Sequence, residues 1–393
     1  MEERKMVLKM IEDGKITAEE GLQLLQAMRD EPTEKKSSDL DKKEKRSRYE
    51  RRGPHSNTGK YKKDPEANKK ETDHYMSKDV NWDAQGYRKT GEKITTFASR
   101  FSEFVEDAVH KIKEFDLDFN FGSSVEVQHI FQEKNITVED IGINIENGSI
   151  VFRPWEEDDV RVECNVKVYK VSDTDEARRV FLDEAGFSLN DDKLRLHAKK
   201  KSMKVNATVY VPKHNLKKIQ FYAFNGKISG ENVSVESLEA KTVNGRINFE
   251  EIEAKDVRLE TVNGTISVSR LEADLCDTKT VNGTIAIKTA KGDFDGETLN
   301  GTVYYTLLEP ESARAYIKTA TGSVEVTVPD NVKTEGELKT TVGGIQCDLP
   351  ELTVIDEKKD FASKKMTFLA NKNQEAHFYI EAEATTGAIS IKN

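Results

Sequence analysis

The sequence predicts a mainly β fold: a β-solenoid, similar to a parallel β-helix, with rungs of about 19 residues. Three observations carry the prediction. A four-residue phrase returns at a nearly fixed interval: Thr242-Val243-Asn244-Gly245, Thr261-Val262-Asn263-Gly264, Thr280-Val281-Asn282-Gly283 and Thr298-Leu299-Asn300-Gly301. Each copy is followed by alternating apolar and polar residues, the pattern of a half-buried strand: Ile247 and Phe249, Ile266 and Val268, Ile285 and Ile287, Val303 and Tyr305. Looser copies extend the period both ways, with Asn147-Gly148 and Asn225-Gly226 before it and Ala320-Thr321-Gly322, Val342-Gly343-Gly344 and Thr385-Thr386-Gly387 after it.

Each Asn-Gly reads as a turn, because Gly takes positive φ freely and Asn tolerates it. The structural turns are therefore Asn225-Gly226, Asn244-Gly245, Asn263-Gly264, Asn282-Gly283 and Asn300-Gly301. Asn-Gly between alternating runs is also a hairpin signal, so an antiparallel meander stays open beside the coil. In the coil, like residues stack about 4.8 Å apart. Val243, Val262, Val281 and Leu299 would then form one inner ladder, and Ile247, Ile266, Ile285 and Val303 another. Asn244, Asn263, Asn282 and Asn300 would form an amide ladder along one corner.

Four regions follow in order. Residues 1–31 read as a helical hairpin: Met6, Val7, Met10 and Ile11 make one stripe, Asp13-Gly14 ends the first helix, and Thr17 with Glu20 makes a capping box for the second. So short a pair buries little by itself. Leu22, Leu24, Leu25 and Met28 are therefore its candidate partner-binding residues, toward another protein or a second copy. Residues 32–91 read as a disordered linker, since a Ser- and Lys-rich stretch with few apolar residues cannot bury enough surface to fold. Residues 92–117 read as an amphipathic helix, with Phe97, Phe101, Phe104, Val105, Ala108, Ile112 and Phe115 on one face. Its polar face mixes acids and bases, which favours a cap on the open end of the solenoid over a helix lying in a membrane interface. Residues 118–393 form the repeat domain, with broad first rungs, a helical insert over 173–187 and regular rungs from about residue 218.

Charge is unevenly spread. The chain carries a net charge of −10, yet residues 35–70 hold fourteen Lys/Arg against six Asp/Glu. The first reading is a solvated tether. The sharper one is contact with an anionic membrane surface through Arg46, Arg48, Arg51, Arg52, Lys62 and Lys63. Nucleic-acid binding is disfavoured, because Tyr49 and Tyr61 are too few to make a stacking platform. Cys164, Cys276 and Cys347 lie far apart, without metal-site or disulfide spacing. No export signal and no run of 18 apolar residues appears. The expectation is a cytoplasmic protein, with membrane association and a surface location left open.

No catalytic motif stands out: no phosphate loop, no zinc helix, no nucleophile elbow. No cofactor is expected. Asp293, Asp295 and Glu297 alternate on one face and are the best candidates for sugar-cleaving carboxylates, although a solvated edge is the plainer account. The leading expectation is a non-enzymatic scaffold, and a carbohydrate-active enzyme is the alternative.

The segment from Lys9 to Leu25, reading Lys-Met-Ile-Glu-Asp-Gly-Lys-Ile-Thr-Ala-Glu-Glu-Gly-Leu-Gln-Leu-Leu, closely resembles the helical hairpin that opens the YvlB/LiaX-like proteins of Gram-positive bacteria. It also resembles the short helical modules called SHOCT-like. The repeated Thr-Val-Asn-Gly-x-Ile resembles the adhesin-like β-strand repeat domain of the same proteins. The resemblance covers most of the chain outside the basic linker. It implies a role in cell-envelope stress, near systems that sense membrane-active antimicrobial peptides, and it brings no catalytic residue.

Overall fold

A computed structural model describes residues 102–110, 122–309, 312–360 and 363–393, all within the unit Trp82–Asn393. The expected hairpin, the linker and both ends of the 92–117 helix lie outside the described residues.

The repeats form a parallel coil. Ile247 stands beside Ile266 and Ile266 beside Ile285, in strands running the same way. No antiparallel pairing crosses Asn263-Gly264, so the meander is excluded there. Each coil contributes a strand to two walls that face each other across a common core. In the first wall, Lys218–Asn225 is followed by the later halves of Val233–Asn244, Ile247–Asn263, Ile266–Asn282 and Ile285–Asn300. In the second, Ile228–Gly230 is followed by the opening residues of the last three of these strands and then Val303–Leu307. Ile228, Ile247, Ile266, Ile285 and Val303 stack in one fully buried column between the walls. Phe249, Val268, Ile287 and Tyr305 make a second column beside it.

Three contacts close the corner at each repeat. The Asn carboxamides form one chain of hydrogen bonds, 2.9 Å at every step, from Asn300 through Asn282, Asn263, Asn244 and Asn225 to Asn147. Each Thr hydroxyl donates to the carbonyl of the Gly one coil back, as Thr261 does to Gly245 at 3.1 Å. Each Gly lies against the Gly before it: a Cβ on Gly264 would stand 1.8 Å from the Gly245 carbonyl oxygen. This close approach, rather than positive φ, requires glycine in the central coils. Among the turns, only Gly148, Gly301, Gly322 and Gly387 have positive φ, and no repeat Asn does.

One predicted ladder faces the other way. Thr242, Thr261, Thr280 and Thr298 point toward the coil interior and are buried. Val243, Val262 and Val281 therefore point outward, as alternation along a strand demands. They belong to a separate apolar cluster with Phe224, and Leu299 is 37% exposed. The structure keeps the predicted period and reverses the parity of this row, because the phrase ends at a corner where both neighbours of each Val are polar.

The ends do not stack in chain order. Before the regular region, Lys193–Ala198 and Met203–Pro212 lie outside the earlier strands Asp140–Asn147 and Ile150–Trp155. After it, the last coil, His377–Thr386 with Ile389–Lys392, inserts between Ala313–Thr321 with Val324–Thr327 and Lys333–Val342 with Ile345–Asp348. Antiparallel strands finish both ends: Ser124–Glu133 beside Val160–Tyr169, Ala185–Asn190 beside Lys193–Ala198, and the ribbon Ser363–Ala370 with Thr353–Asp360.

The helical insert spans Thr174–Glu184. It is capped by Asp173, whose carboxylate accepts from the Glu176 amide at 2.8 Å. It stops short of the predicted 187 because Phe187 belongs to the strand paired with Lys193–Ala198. Buried Ala177 and Phe181 seat it at the N-terminal end, where Phe181 meets Phe131 at 6.3 Å between ring centroids. This insert covers that end of the core, while helix 102–110 covers a flank.

Candidate binding flank of the first wall

Outward-facing residues of the first wall form three rows that run across the strands. The row nearest the turns is apolar: Phe224, Val243, Val262, Val281 and Leu299. Helix 102–110 lies on it through Phe104 and Ala108, both buried, with Val105 packed alongside. Burying this stripe explains why the expected amphipathic helix lies on the flank and not over an open end. The ammonium of Lys241 also stands 5.5 Å from the Phe104 ring centroid.

The middle row alternates in charge along the stack: Lys241, Glu260, Lys279, Glu297, Lys318, Glu383, Lys339. Three neighbouring pairs are closed, Lys241–Glu260 at 3.1 Å, Lys279–Glu297 at 2.7 Å and Lys339–Glu383 at 2.7 Å. Like charges one strand apart would repel, so alternation is the arrangement a parallel stack tolerates. Glu260 is fully buried, and its contact with Lys241 lacks hydrogen-bond geometry at either oxygen. Burial accordingly raises the Glu260 carboxyl despite Lys241. Burial works against the Lys241 ammonium, but Glu260 and Glu239 outweigh it and its pKa is raised.

The outer row holds two adjacent buried carboxyls, Asp277 and Asp295. Burial, reinforced by Asp295, raises Asp277 to about 7. Burial raises Asp295 to about 6, against the pull of Lys279. The carboxylates singled out from sequence are otherwise committed: Asp293 is gripped by the Arg314 guanidinium and accepts from its amide at 3.0 Å, and Glu297 pairs with Lys279.

At the N-terminal side of the same wall lies a groove of about 430 Å³. Its floor is Gly142, Asn144, Gln220 and Tyr222, with Arg195 and His197 on one side and Glu239 and Lys241 on the other. Burial, with Glu146 and Asp107 nearby, pushes the Tyr222 phenol up. No sequence motif marked this groove, because four strands that are not all consecutive in the chain assemble it. The charge column was legible: Lys241, Glu260, Lys279 and Glu297 each stand directly before the repeated phrase.

The predicted turn residues come together in the amide ladder. Leu22, Leu24, Leu25, Met28, Arg46, Arg48, Arg51, Arg52, Lys62 and Lys63 lie outside the described residues. Among the described residues, no cluster of three or more His, Cys, Asp or Glu side chains could hold a metal ion, and no helix is long and apolar enough to cross a membrane.

Comparison with known proteins places the chain. It is 39% identical over 391 residues to the uncharacterized protein YvlB of Bacillus subtilis (strain 168), covering 100% of this chain and 98% of the relative. A putative adhesin from Bacteroides fragilis NCTC 9343 aligns over 67% of this chain and 97% of its own, at 12% identity and TM-score 0.38. A putative lipid binding protein from Parabacteroides distasonis ATCC 8503 aligns over 67% and 96%, at 10% identity and TM-score 0.30. None of these names is that of an enzyme. The SHOCT-like domain model matches residues 2–33, and the model described as Toastrack DUF4097 matches residues 138–392. The chain belongs to the Toastrack DUF4097 family, with a SHOCT-like domain at its N-terminal side.

Proposed function

We propose that this protein is a non-enzymatic scaffold of the cell-envelope stress response. The N-terminal hairpin recruits a partner or a second copy, and the solenoid presents a binding surface. The observation that carries this reading is the first wall. Its outward rows run across consecutive coils of a rigid stack, and the carboxylates best placed for glycoside chemistry, Asp293 and Glu297, are held in ion pairs. Asp277 and Asp295 are buried and do not border the groove.

The test is a pull-down with the full chain carrying Leu24→Ser and Leu25→Ser. Loss of a stress-associated partner, or of self-association, with an unchanged melting temperature for the repeat domain is the expected result. An unchanged set of partners overturns the recruitment reading. A large fall in repeat-domain stability would make the hairpin a structural cover instead.

A further inference from the structure

We propose that the groove over Asn144 is a binding site for a saccharide chain lying along the stacking axis, between Arg195 and Lys241. This rests on reading the first wall as a binding surface and names what that surface takes.

The groove is made by two glycines. Gly142 is paired with Arg195, and a Cβ there would stand 2.9 Å from the arginine Cδ. Gly186 is paired with His197, and a Cβ there would stand 1.8 Å from the imidazole Cε1. Arg195 therefore lies over Gly142 and His197 over Gly186, which leaves open space above Asn144, the neighbour of His197 on the adjacent strand. The space, about 430 Å³, falls in the range of small-ligand sites, roughly 300–1,000 Å³.

Its chemistry is that of hydroxyl recognition. Arg195 donates to both oxygens of Asp140, at 3.1 and 2.9 Å, which fixes the plane of the guanidinium. Glu239 accepts from the Gln220 amide at 2.8 Å and meets the Lys241 ammonium at 2.9 Å, so its carboxylate is also oriented. The side chain of Asn144, half-buried at the centre, has no hydrogen-bond partner among the described residues and offers both a donor and an acceptor. Tyr222 sits on the next strand and supplies a ring beside it. Planar donors and acceptors beside an aromatic face suit the edges and faces of sugar rings. An apolar peptide would leave the Asn144 amide unpaired. A phosphate would need several unneutralised cations, whereas Arg195 and Lys241 both already face carboxylates, and of the lysines and arginines lining the groove only Lys199 carries no ion pair among the described residues. Asn144, Tyr222 and Lys241 follow one another across adjacent strands, about 4.8 Å apart. That step is close to the length of one sugar ring in an extended chain.

The experiment is calorimetric titration of the full chain with cellotetraose, chitotetraose and tetragalacturonate. At least one should bind with Kd below about 1 mM. Asn144→Arg, which fills the groove, should weaken that binding at least tenfold at an unchanged melting temperature. If Asn144→Arg fails to fold, Asn144→Ser removes only the amide and should weaken binding about threefold. Binding confined to tetragalacturonate and lost in Lys199→Ser would support the site and assign it an acidic sugar. No binding of any probe by the folded protein, or undiminished binding by the Asn144 variants, overturns the proposal. The titration does not read the hairpin, so it can fail while partner capture through Leu24 and Leu25 holds, and the reverse.

Discussion

Between Lys218 and Asn300 the coils follow one another in chain order, whereas at both ends a later segment stacks out of turn. The two regions share a geometry and differ in what specifies it. In the middle, neighbouring coils are near copies, so Asn meets Asn, Gly meets Gly and Ile meets Ile. At the C-terminal end the phrase has decayed, and charge favours one order over another. Stacked in chain order, Lys318 would stand beside Lys339. The inserted coil places Glu383 between them.

The strongest way to break the middle is Ile266→Asp, which buries an unpaired charge in the fully buried column. It should cost more than about 4 kcal/mol, seen as collapse of the urea midpoint. Ile389→Asp, equally buried but in the inserted coil, should open the C-terminal end at lower denaturant than the middle. A melt like the parent's for Ile266→Asp would be incompatible with a stacked core.

Asp277 sharpens the comparison from within the middle. Its pKa of about 7 lies above the ordinary 3.8, so the folded state holds a proton that the unfolded chain has released. The stability linked to that proton is complete below about pH 4 and is lost as pH rises through 7. Asp277→Asn should therefore flatten the fall of stability between pH 5 and 8. At pH 8 it should be more stable than the parent by roughly 1–3 kcal/mol. A parent that gains stability over that range would contradict this.

The smallest effect belongs to the end. Glu383→Lys puts three ammonium groups in succession and breaks the pair with Lys339. The expected cost is about 1 kcal/mol, recovered in part at high salt, because the column is half-exposed. A salt-independent loss would mean that packing, not charge, places the last coil.

Much of this was legible in the sequence because the repeat is local: the period fixed the coil, and Ile247, Ile266, Ile285 and Val303 fixed its core. Parity was harder. Val243 and Thr242 are adjacent, and either could face inward until the Gly carbonyl claims the Thr hydroxyl. The out-of-turn ends and the groove were not legible at all. Both depend on which distant strands become neighbours, as Arg195 and Asn144 do, and no local pattern records that choice.

The inserted coil also bears on the order in which the stack can assemble. A ribosome releases the chain from its N-terminal side. The strand Lys333–Val342 emerges before His377–Thr386, yet in the finished molecule it lies beyond it. Until residue 386 is free, Ala313–Thr321 lacks its native neighbour on that side. The inserted coil is thus a keystone: a product cut short before it cannot assemble the stack on either side of it, however well its earlier repeats have stacked.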